Sequence, residues 1–261
     1  MENTHQAATP TLKILDGQKM DFNDIMSNFR ATLNPTLEMF KKDPVNFALV
    51  YALPILLGGV LVQIVVPLLL AVPALLSLIG ILGIAFAVLA VALSIVSYVA
   101  LVKAAIEKAK GGKIDLMACY TLAAKNIINT IVLGVKSFLQ IFKGIYPFFN
   151  AAFSLVYFIE GDAKDIEGSI KMSQDHLQGK TITMILNVVL IAIVTGVASA
   201  VFATVWTMVL GFVPYIGGLG SVVSNALFTS FVVLFQYVLK TQLEKMHGAP
   251  AHAAPAAHHN S

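Results

Sequence analysis

The sequence predicts an all-α integral membrane protein: a six-transmembrane-helix bundle with two amphipathic helices on its cytoplasmic surface. Three observations carry this. Two stretches, 44–102 and 181–239, contain no charged side chain, and each is 59 residues long. Hydrophobic residues make up 57% of the chain and charged residues only 12%, against about 25% charged in soluble domains. The basic residues lie at the ends of the apolar runs. An ionised side chain at the bilayer centre costs about 2.5–3.5 kcal/mol, so a long uncharged run marks lipid as the solvent. About 20 apolar helical residues cross the hydrocarbon core, and each run therefore holds a hairpin of two spans. A soluble helical core would need charged outer faces, which these runs lack.

Taken in order, residues 1–20 read as a disordered tail, rich in Thr, Gln and Asn and poor in apolar anchors. The segment has no basic n-region, apolar h-region or small-residue cleavage site, so no signal peptide is expected. From Asp21, a helical face gathers Phe22, Ile25, Met26, Phe29 and Leu33, the spacing of an amphipathic helix lying on the membrane surface. Asn34-Pro35 is expected to end it.

The first span is expected over about 45–70, with Pro54, Gly58, Gly59 and Pro67 inside it, and Ala71-Val72-Pro73 as a short turn. The second covers about 74–102, where Ser77, Gly80, Gly83 and Ala87 would let another helix approach closely. A basic loop follows, with Lys103, Lys108, Lys110, Lys113 and Lys125.

The third span, about 122–142, differs from the rest. Lys125, Asn129, Lys136, Gln140 and Lys143 fall within an arc of about 60° on a helical wheel. Gly144 and Pro147 break it, and a short aromatic fourth span is expected over about 147–159. The most charged loop comes next. Ile166, Ile170, Ser173 and Leu177 share one helical face, with Asp162 as N-cap and Gly179 as the residue after the C-cap. The fifth span is expected over about 181–210, an uncharged turn over 211–220, and the sixth span over about 221–239. Residues 246–261 are Ala/Pro/His-rich and of low complexity, which predicts disorder.

Lysine and arginine set the orientation. The N-terminal segment and the loop after the second span carry five each, the loop after the fourth span three, and the C-terminal end two. The turns after the first and fifth spans carry none. All these basic segments share one side if both termini are cytoplasmic, which places the protein in the plasma or bacterial inner membrane.

The segment 158–179, FIEGDAKDIEGSIKMSQDHLQG, is similar to a signature of multi-pass bacterial membrane proteins that resemble the membrane domain of some glycerophosphoryl diester phosphodiesterases. There an acidic-glycine turn is followed by an amphipathic helix with a Ser, then a Gly six residues on. Ser173 and Gly179 match those positions. Gly144-Ile-Tyr-Pro147 resembles the family's glycine-to-proline break, and the end of the sixth span its aromatic-basic exit. Ser169 stands where Ala is expected, and the lysine stripe has no family counterpart. The resemblance implies a six-helix bundle, and no catalytic phosphodiesterase domain accompanies it.

No phosphate-binding loop, dinucleotide fingerprint, HExxH or CxxC occurs, and no enzyme activity or cofactor is expected. Ser173 has Asp175 and His176 nearby, but on a helix these point about 160° and 60° away from it. The single cysteine, Cys119, cannot form an internal disulfide. His247, His252, His258 and His259 are weak metal-ligand candidates, and Glu160, Asp162, Asp165 and Glu167 are carboxylates interleaved with lysines, the pattern of a solvated face, so no metal site is expected. A net charge of +3 gives no case for nucleic acid. The expected partners are membrane lipids, and proteins docking on the surface helices. Two functions follow. One is a structural or accessory membrane protein, with the span-3 lysines snorkelling to headgroups. The alternative is a transporter or lipid-handling protein with a Lys-lined cavity along span 3. The first is preferred, because no coupling carboxylate lies in any span.

Overall fold

The computed structural model describes residues 12–17, 21–70, 79–212 and 216–246. Among them the chain is helical, in ten α-helices. Three are long and apolar enough to cross a membrane: Ile81–Ala109, Thr181–Leu210 and Gly220–Lys245. A bent pair, Leu116–Lys125 and Ile127–Lys143, meets at 65° and makes a fourth if it is one broken span.

Helix α1, Phe22–Lys41, starts at Asp21, whose side chain accepts from the Asn23 N–H. It does not stop at Asn34-Pro35 as the sequence suggests. Proline removes the N–H that would bond the carbonyl four residues back. The Gln242 Nε2 donates to that carbonyl, Ala31 O, at 3.0 Å, and Thr32 Oγ1 donates to Gln242 Oε1 at 2.8 Å. A side chain from the far end of the protein thus fills the gap in the helix ladder.

Residues 12–16 depart from the tail expected over 1–20. Leu15 is buried, and its N–H donates to Thr183 Oγ1 at 2.8 Å. Asn28 exchanges two hydrogen bonds with the Lys13 backbone. The Asp16 carboxylate accepts from the Ile182 and Thr183 N–H groups at 2.9 and 3.1 Å, capping a helix that begins at residue 181. The remainder of the expected N-terminal tail, the 71–73 turn and the tail after 246 lie outside the described residues.

Two uncharged hairpins dominate. One pairs α2, Pro44–Leu70, with α3, Ile79–Ala109. The other pairs α9, Thr181–Leu210, with α10, Ile216–Lys245. The expected turn over 211–220 is shorter, because α10 already begins at Ile216. Gly220 lies inside that helix, so close to the Trp206 indole that a Cβ would overlap it. In the first hairpin the close approach is Gly58 against Leu93, while Gly83 faces open space.

Both hairpins are buried at the end where α2 and α9 begin and α3 and α10 finish. Phe47, Val50, Val99–Val102, Ala104–Ile106, Val233, Leu234 and Tyr237 belong to one buried cluster, and Ile191, Phe235 and Leu239 to a second. Farther along, Ile81, Ile84 and Val88, and Val197, Val201 and Met208 on α9, are exposed. Burying apolar area drives the packing of the shared base, and the apolar arms project from it.

The middle of the chain departs most from expectation. In place of two continuous spans it forms α4 (Leu116–Lys125), α5 (Ile127–Leu139), a 3-10 turn (Gln140–Lys143), α6 (Ile145–Asn150) and α7 (Ser154–Glu160). Gly144, with φ +132°, makes the break before α6 in a region that disfavours any side chain. Helix α8, Ile166–Leu177, runs beside them. Gln174 Nε2 donates to Pro147 O at 3.2 Å, and Thr181 Oγ1 to Asn150 Oδ1 at 2.6 Å. The turn expected at the far side of the membrane therefore sits beside the α8–α9 junction. Six and seven residues of helix rise only about 9 and 10 Å, and the whole apolar stretch Ile145–Glu160 is shorter than the about 20 residues that a span needs.

The two amphipathic faces read from the sequence are turned largely inward. On α1, Phe29 is buried, Met26 and Leu33 pack on the core, and Phe22 is exposed. On α8, Ile170, Ser173 and Leu177 are buried. Apolar stripes at helical spacing serve a protein core as readily as a lipid surface, and here the fold covers most of both.

Candidate functional site

The lysine stripe does not survive as one line. The 65° bend after Lys125 separates α4 from α5. Lys125 and Asn129 stand exposed on either side of it, and neither lines the groove formed by the other three. Lys136, Gln140 and Lys143 line a groove of ≈ 580 Å³ with Glu167, Lys171 and Gln174 of α8. Lys136 Nζ pairs with Glu167 Oε1 at 2.7 Å. Gln140 is buried; its Nε2 donates to Lys136 O, and its Oε1 accepts from Gln174 Nε2 at 3.3 Å. A second cavity of ≈ 480 Å³ shares Gln140, Lys143 and Gln174 and continues past Tyr146 toward Thr181.

Ser173 is a staple. Its hydroxyl donates to Asn150 O at 2.6 Å and accepts from the Phe153 N–H at 3.1 Å. Both backbone groups belong to the break between α6 and α7, where the helix ladder is interrupted. Ser173→Ala is expected to cost about 1–3 kcal/mol, the penalty of orphaned buried polar groups, read as a lower midpoint of unfolding in mild detergent. Gly179, with φ +72°, follows α8 in the left-handed conformation expected after a C-cap. The N-cap of α8 is Asp165 rather than Asp162: Asp165 Oδ1 accepts from the Gly168 N–H at 2.6 Å.

A second polar cluster was not read from the sequence as a unit. Lys240 of α10 is 3% exposed and pairs with Glu160 at the end of α7, with Glu244 at 3.1 Å and with Asp162 at 3.9 Å. Its ammonium lies 4.2 Å from the centre of the Tyr157 ring, a cation–π distance. Glu160 also accepts from the Tyr237 hydroxyl at 2.8 Å and pairs with Lys110 at 3.5 Å. The Tyr157 hydroxyl bonds His176 Nδ1 at 2.7 Å, so α3, α7, α8 and α10 meet at one network.

Burial pushes the Glu160 carboxyl up. Hydrogen bonds from Lys240 and Tyr237 and the charges of Lys240 and Lys110 outweigh that and hold it below the usual glutamate range. Asp162 moves the other way, raised first by burial and then by the Glu160 charge. The signal available in the sequence was the Tyr237, Lys240, Glu244 spacing, which places three polar side chains on one side of a helix.

Cys119 is buried and free. Among the described residues no group of His, Cys, Asp and Glu side chains is placed to hold a metal ion. His247, His252, His258 and His259 lie outside those residues. These features define an all-helical protein with three to four helices able to cross a membrane and a polar base at one end. Compared with known proteins, the chain matches no family model, no curated protein and no solved structure.

Proposed function

We propose that the protein is a multi-pass integral membrane protein of structural or accessory type, with both termini on the cytoplasmic face of a plasma or inner membrane. The α2–α3 and α9–α10 hairpins supply four spans. On this reading the segments expected as spans 3 and 4 lie along the cytoplasmic face, giving four spans rather than six. The observation that carries this is the pairing of Pro147 and Asn150 with Gln174 and Thr181, which sets the α5–α6 turn beside the charged loop. The basic loops still share one side.

Lys136 neutralised by Glu167, and a serine hydroxyl engaged with backbone, favour structure over catalysis. The interrupted stripe weighs against a Lys-lined transport path along span 3. The groove keeps lipid handling as the second reading.

Impermeant-maleimide labelling tests the topology. In a Cys119→Ser background, Lys143→Cys is expected to label from the same membrane face as Lys171→Cys, and Phe212→Cys from the opposite face. Labelling of position 143 together with position 212 would restore the six-span count.

A further inference from the structure

The α5–α8 groove has unspent positive charge. Lys136 is matched by Glu167, but Lys143 and Lys171 form no ion pair among the described residues, and both line the groove. The other carboxylates facing the adjoining cavity are Asp175 and Asp16, and Asp16 is engaged with the N-terminus of α9. The Gln140 and Gln174 amides in the groove bond each other and the Lys136 and Pro147 carbonyls, which leaves anion binding to the lysines.

The chain on either side of Lys143 is apolar and uncovered, and its Tyr146 lines the adjoining cavity. Phe142, Ile145 and Tyr146 are 82%, 69% and 61% exposed, on both sides of Lys143. Three large apolar side chains around an exposed cation are the chemistry of the headgroup boundary, where a basic group meets phosphate and rings or aliphatic chains meet acyl carbon. A free phosphate would use the lysines and leave these apolar side chains idle; a lipid uses both.

We propose that the α5–α8 groove seats the phosphate of an anionic membrane lipid between Lys143 and Lys171, with Phe142, Ile145 and Tyr146 against its glycerol backbone and first acyl carbons. The proposal rests on the reading that the α5–α6 turn lies at the cytoplasmic face. It names the lipid class for the lipid-handling reading of the same groove. Bound lipid would bridge the turn to α8 and reinforce the attachment of the middle segment to the hairpin base.

The test uses the full chain, purified in mild detergent with phosphatidylcholine and titrated with phosphatidylglycerol, with bound lipid counted by native mass spectrometry. Phosphatidylglycerol is expected to be retained in preference to phosphatidylcholine. Each lysine beside an anionic lipid contributes about a fivefold preference, so Lys143→Gln with Lys171→Gln should weaken retention about tenfold or more. A control pair of exposed lysines elsewhere, Lys42→Gln with Lys113→Gln, should leave it unchanged. Inorganic phosphate at millimolar concentration should not displace the lipid. Equal retention by the two double variants, or no preference over phosphatidylcholine, overturns the site. Displacement by inorganic phosphate overturns the lipid as its occupant. If position 143 labels from the cytoplasmic face while retention is unaffected by the variants, the site fails and the topology stands. Labelling from the far face removes both.

Discussion

Replacing Lys240 by methionine is expected to lower the unfolding free energy by about 3–5 kcal/mol, the usual cost of removing one partner from a buried ion pair. The substitution keeps most of the volume and removes the charge that Glu160, Glu244 and Asp162 share. Glu160 is left 5% exposed with Lys110 and the Tyr237 hydroxyl as its remaining partners. Adding Glu160→Gln to Lys240→Met should recover most of the loss, because the residual penalty is an uncompensated charge rather than a cavity. A Lys240→Met protein as stable as the parent would remove the network from any structural role.

The same network predicts an acid response. Glu160 has its folded pKa depressed below 4.5, so its contribution is complete above that pH and is lost as pH falls through the depressed value. Asp162 is raised above 3.8, so it costs stability at neutral pH, and protonating it relieves that cost on the way down. The parent protein should therefore hold its stability to about pH 4.5 and lose it below. Without Lys240 the loss below pH 4.5 should flatten. The measurement is the denaturation midpoint in detergent between neutral pH and about pH 3.

Phe235→Ala is expected to be comparably damaging, at about 3–5 kcal/mol. Its ring is fully buried, 5.7 Å from that of Phe29, and shares a cluster with Tyr157, Leu239 and Leu243. Four helices close around it, so the cavity left behind has little room to collapse. Val197→Ala, on the exposed arm of α9, should change stability by no more than about 0.5 kcal/mol. The contrast separates a close-packed base from arms whose outer surface is apolar and exposed. Equal effects at the two positions would contradict that division.

The apolar arms were legible from the sequence, because the constraint acts on each helix alone: 59 residues without charge admit little other than a helix in apolar surroundings. The amphipathic stripes were legible too, but not what covers them. Phe29 and Ile170 have the same spacing whether they meet lipid or protein. The lysine stripe failed for a related reason. A helical wheel assumes a straight helix, and the bend after Lys125 carries the first lysine away from the rest. What compensates Lys136 lies 31 residues on, at Glu167.

Residue order alone marks which segments are long, uncharged and apolar, where glycine and proline interrupt them, and which ends carry basic charge. Each of these follows from composition and local backbone chemistry. Tertiary structure alone decided that α1 passes through Pro35, since the donor for the freed carbonyl is Gln242, 211 residues away. It decided that residues 12–16 dock on α9, that the α5–α6 turn folds back beside α8, and that Lys240 meets Glu160 across 80 residues of chain. A buried polar group must find a partner, but which partner depends on the helices that meet around it.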